Sequence, residues 1–139
     1  MRRFVLFLFV ISLLPAYLHA NSKNPILEVK GPAIIAFFSP VTKDELNRDA
    51  EQNESLSDFQ HHLQGAKPTL EKAGIKVHEI YAKSFTVKTP TSTTIFKPKD
   101  TDVGYYFIMP GKKPRVEYGV MTDVDLLYIA SDYFGKKII

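Results

Sequence analysis

The run AIIAFF at residues 33–38 is the stretch of this chain that decides its fold. It contains only apolar residues, most of them β-branched or aromatic, and it is punctuated by Gly31-Pro32 before it and Pro40 after it. Such a run is typical of a strand that is buried on both faces. We therefore expect residues 33–38 to be the central strand of a sheet. The polar segment before it, residues 21–32, is either a flexible leader or contains a short edge strand at residues 26–29.

The residues after this strand predict two helical features. Thr42 and Glu45 have the spacing of a capping box, in which each side chain accepts a hydrogen bond from the backbone amide of the other residue. A helix should therefore start there. Further on, apolar residues recur at steps of three and four and predict an amphipathic helix capped by Gly74; these are Leu56, Phe59, Leu63, Ala66, Leu70 and Ala73. Pro68 lies inside this helix, so we expect a kink or break near Gly65-Ala66.

The second half of the chain predicts five strands and a final helix. Strands are expected at residues 75–81 and 104–109, and at 115–118 after a tight turn. Residues 85–88 and 93–96 predict an inserted hairpin. The final helix should be capped by Thr122 or Asp123 and end at Gly135, with one apolar face; that face is expected to contain Val124, Leu127, Tyr128, Ile129 or Ala130, and Phe134. The order is thus β-α-β, an insertion, then β-β-α, in an α/β class that borders on α+β.

Two stretches carry a resemblance to a known family. IIAFFSP at residues 34–40 resembles the central strand of the thioredoxin-like family where it runs into the redox loop. Residues 105–134 resemble the closing strands and last helix of the same family. The resemblance implies a thioredoxin-like three-layer sandwich, with residues 33–139 as a single domain and helices packed on a central mixed sheet.

The sequence departs from that family at the positions that carry its chemistry. The two cysteines of the redox motif would fall on Thr42 and Glu45, and the chain has no cysteine at all. Disulfide exchange and cysteine-ligated cofactors are therefore excluded for this sequence. The family's cis-proline would fall near Val103, where there is no proline. Thr42 and Glu45 are then degenerate redox-loop positions, which serve either as a helix cap or as a remodelled anion pocket.

The first 20 residues are typical of a cleavable signal peptide. Arg2 and Arg3 precede an apolar run at residues 4–14, which is shorter than the roughly 20 residues of a membrane-spanning helix. We expect cleavage after Ala20, release into a periplasm or the medium, and no stable membrane anchor after cleavage. An uncleaved anchor and twin-arginine export are the alternatives. Of the 18 Lys and Arg, cleavage removes two and leaves 16 against 15 Asp and Glu, so nucleic acid is not an expected partner.

The candidate binding residues are basic and aromatic side chains of the last third of the chain. They would form one patch if the loop before strand 104–109 and the turn after it shared an edge, and a protein or envelope component would be the partner. The members of this patch are Lys97, Lys99, Lys112, Lys113, Arg115, Tyr105 and Tyr118. The alternative is that these are ordinary turn lysines and edge-strand charges.

No catalytic motif is present, and no cofactor is expected. The chain lacks a nucleophile elbow and a glycine-rich phosphate loop. Adjacent helical residues such as His61 and His62 point about 100° apart and chelate a single metal ion poorly. A metal site would need His62 to meet His78 in the folded chain. The leading hypothesis is therefore a non-catalytic exported binding module, and the alternative is a metal-binding protein that uses histidines and carboxylates.

Overall fold

The structure, a computed structural model, describes residues 24–98 and 103–139. The expected signal peptide, Lys99 and the rest of the loop up to residue 102 lie outside these residues. In chain order the elements are β1 (Ile26–Glu28), β2 (Ala33–Phe38), α1 (Lys43–Arg48), α2 (Ala50–Lys72), β3 (Lys76–Tyr81), β4 (Phe85–Lys88), β5 (Thr93–Phe96), β6 (Val103–Ile108), β7 (Arg115–Tyr118) and α3 (Asp123–Phe134). No described helix is long and apolar enough to cross a bilayer.

The central sheet has four strands in the order β3-β2-β6-β7. β2 is parallel to β3, which follows it after the helices, and antiparallel to β6, which is antiparallel to β7. Every residue of β2 is buried. The expectation that residues 33–38 and the strand that starts near Gly104 occupy the interior of a mixed sheet is confirmed.

One face of this sheet is covered by helices. Ile34, Ala36 and Phe38 of β2 point toward α2 and α3, where they join the larger hydrophobic core. Phe59 of α2 lies in this core, with its ring centroid 5.4 Å from that of Phe38 and 5.9 Å from that of Tyr105. The predicted stripe of α2 is confirmed, because its residues from Leu56 to Leu70 are buried.

The helical region begins with the predicted capping box but contains two helices. Thr42 and Glu45 exchange both hydrogen bonds at the start of α1. Asp49 then ends α1 and caps α2, where its side chain accepts from the amide of Gln52 at 3.0 Å. The expected break near Gly65-Ala66 is wrong, since α2 runs through Pro68 for 23 residues. Pro68 lies on the exposed side of the helix, where water can solvate the carbonyl that lost its donor, and the buried stripe continues on both sides of it.

The final helix is capped by Thr122 and ends at Gly135, which has a φ of 63°. Its buried face differs from the predicted one: Val124 and Tyr128 are 63% and 69% exposed, and Leu126 is fully buried. Two sets of apolar residues have helical spacing in this segment: one contains Val124 and Tyr128, and the other contains Leu126, Ala130 and Tyr133. The tertiary contact with β6 selects between them, because Tyr133 and Phe134 pack against Phe107.

The other face of the central sheet is covered by a second sheet rather than by a helix. This sheet has the order β1-β4-β5 and contains the predicted hairpin β4–β5, with β1 parallel to β4. Ala33, Ile35 and Phe37 of β2 form the smaller core with its inner side chains, which include those of Phe85 and Val87. The architecture is a mixed α/β fold with two sheets and three helices, compatible with an α+β class.

Phe37 is the centre of an aromatic cluster between the two sheets. Its ring centroid lies 5.8 Å from that of Phe85, 5.6 Å from Phe96 and 6.2 Å from Tyr118. Gly104 of β6 makes room for this ring: a Cβ at that position would lie 2.7 Å from Phe37 Cζ and 2.6 Å from the carbonyl oxygen of Glu117.

Leu63→Asp should destabilise the fold by about 4 kcal/mol, since it places an unpaired carboxylate in the contact between α2 and the sheet. Urea unfolding followed by circular dichroism measures the effect. Gln64→Asp, on the exposed side of the same helix, is the control and should cost only about 0.5 kcal/mol. Equal midpoints for the two variants would contradict the placement of the stripe.

Gly104→Ala should destabilise by about 1–3 kcal/mol, because the added methyl group meets the Phe37 ring and a strand carbonyl that cannot both move away. Gly31→Ala is the matched control, since a Cβ there meets nothing within 4 Å. Thermal melting of both variants tests the prediction, and a Gly104→Ala protein as stable as Gly31→Ala would refute the close approach.

Candidate functional site

Two members of the expected basic patch are engaged with α3. Lys112 Nζ donates to the backbone carbonyl of Tyr133 and lies 4.4 Å from the centroid of the Tyr133 ring. Arg115 Nε lies 2.8 Å from Glu117 Oε1, and Arg115 Nη1 lies 2.9 Å from Asp132 Oδ2. The hydrogen bond to Glu117 is the largest cause of a raised pKa at Arg115. These two cations therefore fasten the β6–β7 hairpin to α3.

Lys97 follows the last residue of the β4–β5 hairpin, at the end that is far from Lys112 and Arg115. Thr91 at the hairpin tip and Lys112 line the same small cavity of about 100 Å³. β5 runs away from that tip, and Lys97 follows its last residue, so roughly 13 Å of strand separates the two ends. Lys113 is exposed in the turn, and Lys99 lies outside the described residues. The structure thus separates Lys97 from Lys112, Lys113 and Arg115, which lie together in the β6–β7 hairpin.

The two tyrosines of the expected patch have different environments. Tyr105 is fully buried beneath α2, where its hydroxyl accepts from the amide of Met121 at 3.2 Å and burial raises its pKa. It offers no contact surface, because strand alternation turns it toward the helices. Tyr118 faces the second sheet and is 40% exposed beside Phe37.

The degenerate redox-loop positions serve the start of α1. Thr42 Oγ1 accepts from the Glu45 amide at 3.1 Å, and Glu45 Oε2 accepts from the Thr42 amide at 2.9 Å. Beside them lies a depression of about 700 Å³ whose polar lining mixes the cations Arg48 and Lys83 with the carboxylates of Glu45 and Asp49. The mixed charge favours neither an anion nor a cation, so the capping function explains Thr42 and Glu45.

His62 and His78 lie on opposite sides of the central sheet. His62 is on α2, and its Nδ1 accepts a long hydrogen bond of 3.4 Å from the amide of Asp123. His78 is the register partner of Ile35, so it faces the second sheet, whereas the neighbouring Glu79 and Tyr81 face the helices. The two imidazoles do not meet. Residues 24–98 and 103–139 contain no cluster of three or more His, Cys, Asp or Glu that could hold a metal ion.

His78 has a buried ring nitrogen without a hydrogen-bond partner among the described residues. Its pKa is lowered, first by burial and then by the positive charges of Lys76 and Lys67. The fold therefore holds this imidazole neutral at the edge of the smaller core.

The outer surface of the second sheet is the feature that sequence reasoning missed. Ile26 and Ile95 are 60% and 63% exposed, and they lie in one row across the sheet with Thr86 between them. β5 pairs with β4 on one side and is the last strand of this sheet in the described chain. The signal lay in the alternation of residues 93–96, since pairing Phe96 inward turns Ile95 outward.

His78 predicts a loss of stability in mild acid. The pKa of His78 in the folded chain lies below the unfolded value of about 6.5. The contribution of the neutral His78 side chain to the free energy of unfolding is therefore fully present above that pH, and it is lost as the pH falls through the folded pKa. Unfolding free energies of the parent chain and His78→Gln measured between about pH 7 and pH 5 should diverge, with the parent losing more. His61→Gln, at an exposed site, should behave as the parent does. Parallel curves for the parent and His78→Gln would contradict the prediction.

Comparison with known proteins identifies no relative of this chain. No protein-family model matches the chain, and neither a curated protein nor a solved structure is significantly similar to it. The function must therefore be argued from the geometry alone.

Proposed function

We propose that this chain is an exported, non-catalytic module on a thioredoxin-like scaffold that binds another protein or a component of the cell envelope. The observation that carries the proposal is the outer surface of the second sheet, where the exposed side chains of Ile26 and Ile95 lie on either side of the buried Thr86 and Ile95 belongs to the edge strand β5. Exposed edges of this kind accept strands from partner proteins.

The order of elements supports the choice of scaffold. The resemblance of residues 34–40 and 105–134 implies a β-α-β unit followed by β-β-α around a mixed sheet. In this chain β2, the helices and β3 form the first unit, and β6, β7 and α3 form the second, within a single four-stranded sheet. The hairpin β4–β5 is the insertion between them.

The residues at the family's redox positions support a non-catalytic function. Thr42 and Glu45 accept hydrogen bonds from each other's backbone amides, so capping of α1 explains both residues. Val103, at the position of the family's proline, is an ordinary strand residue, and residues 24–98 and 103–139 contain no cis peptide bond. With no thiol in the sequence, the scaffold has lost the groups through which the family performs exchange.

The proposal assigns recognition to the outer surface of the second sheet rather than to the basic patch that the sequence suggested. Lys112 and Arg115 are engaged with α3, so reversing their charges would weaken the domain itself. Substitutions on the outer surface of the second sheet should not weaken the domain in this way, because Ile26 and Ile95 contribute little to either core. The proposal that the chain is exported depends on residues 1–20, whose sequence is typical of a signal peptide.

Replacing both Ile26 and Ile95 by Lys should abolish partner capture while leaving the fold intact, since exposed substitutions typically change stability by only about 0.5 kcal/mol. The matched control replaces Val124 and Tyr128 by Lys, two residues equally exposed on α3. A pull-down from native envelope extract should recover one partner with the parent chain and the α3 variant only.

Two results would contradict this function. Recovery of the same proteins by all three baits would place recognition elsewhere. Stoichiometric zinc or copper in the purified chain, measured by elemental analysis, would instead favour the metal-binding alternative that uses histidines and carboxylates.

A further inference from the structure

The hydrogen-bond pattern of the β4–β5 hairpin determines which backbone groups of β5 are free to bind. The amide of Thr89 donates to the carbonyl of Ser92 at 2.8 Å and closes the turn. Because bonded and non-bonded pairs alternate in an antiparallel ladder, Thr94 and Phe96 then bond to β4. The amides and carbonyls of Thr93 and Ile95 must therefore point away from β4.

The bonds on the opposite side of β4 support this alternation. If Val87 bonds to β5, then Thr86 and Lys88 must direct their backbone groups toward β1. The amide of Thr86 donates to Pro25 at 2.9 Å, and the carbonyl of Lys88 accepts from Val29 at 2.8 Å. β5 thus presents two donors and two acceptors at an edge with no further strand in the described chain.

β5 differs from the other strand edges in lacking protection. Natural edge strands are usually guarded by charges or proline, which discourage pairing with another chain. The other three edge strands each carry charged residues: Glu28 in β1, Lys76 and Glu79 in β3, and Arg115 and Glu117 in β7. β5 has the sequence TTIF, with neither a charge nor a proline.

Charge determines which kind of strand fits beside β5. Residues 82–98, which contain the hairpin, include Lys83, Lys88 and Lys97 but no Asp or Glu. Pairing two copies of this chain through β5 would bring only lysines together, which is unfavourable. A strand with carboxylates would meet these lysines with complementary charge.

We propose that β5 binds an extended, acidic segment of another protein as an added fourth strand of the second sheet, with a β-branched residue of that segment beside Ile95. This inference rests on the proposed function, since it names the chemistry of the partner at the same surface. The added strand extends the row of Ile26, Thr86 and Ile95 by one side chain and satisfies the free groups of Thr93 and Ile95.

A library of random peptides displayed on phage, selected against the purified chain, tests the proposal. The selected peptides should be enriched in Asp and Glu that alternate with Val, Ile or Thr. Ile95→Pro removes an outward amide and the Ile95 side chain without breaking a backbone bond to β4, and it should weaken synthetic copies of these peptides about tenfold. Val124→Lys is the control and should leave their affinity unchanged. Circular dichroism checks that each variant is folded.

Lys97→Glu keeps the test decisive if Ile95→Pro does not fold, and it should weaken the acidic peptides at least about threefold. The proposal is overturned if the selected peptides lack acidic residues or if folded variants bind them as the parent does. It is also overturned if the chain dimerises with β5 protected from hydrogen exchange. Any of these results leaves the proposed function standing as long as the envelope partner is still captured.

Discussion

The burial of β2 on both faces is the constraint on which the rest of the structure depends. Its six side chains alternate between two cores, with Ile34, Ala36 and Phe38 under the helices and Ala33, Ile35 and Phe37 under the second sheet. An all-apolar strand cannot leave either face in water without losing the hydrophobic free energy of three side chains. The chain therefore needs two covering layers, and the small sheet exists because α2 and α3 cover only one of the two faces.

Much of the fold could be predicted from local patterns in the sequence. The strands, the capping box at Thr42 and the stripe of α2 each depend on residues close together in the chain, where spacing carries the information. The second layer could not be predicted in this way, because the pairing of β1 with β4 joins distant segments. The predicted face of α3 was wrong for the same reason, since the buried face is set by packing against another element, where Tyr133 and Phe134 contact Phe107 of β6.

The candidate site was harder to predict than the fold, because exposure is a tertiary property. Tyr105 and Tyr118 are both polar-tipped aromatics in neighbouring strands, yet one is fully buried and the other is half open. Lys112 and Lys97 have the same charge, but only the first has a helix end and an aromatic ring beside it. The free edge of β5 could be recognised only after its pairing with β4 was known, since the residue types in TTIF do not indicate which strands lie beside them.

The pairing of β1 with β4 has a consequence for how the chain folds. Asn24 Nδ2 donates to Thr86 Oγ1 across 62 residues, and the paired residues of β1 and β4 lie nearly as far apart in sequence. Long-range contacts of this kind form late, because closing a large loop costs entropy before any contact is gained. Until β4 emerges from the ribosome, one face of β2 has no covering sheet, so the smaller core cannot be completed before that point. Closure of both faces of β2 therefore waits for the second half of the chain, which supplies the hairpin on one side and α3 on the other.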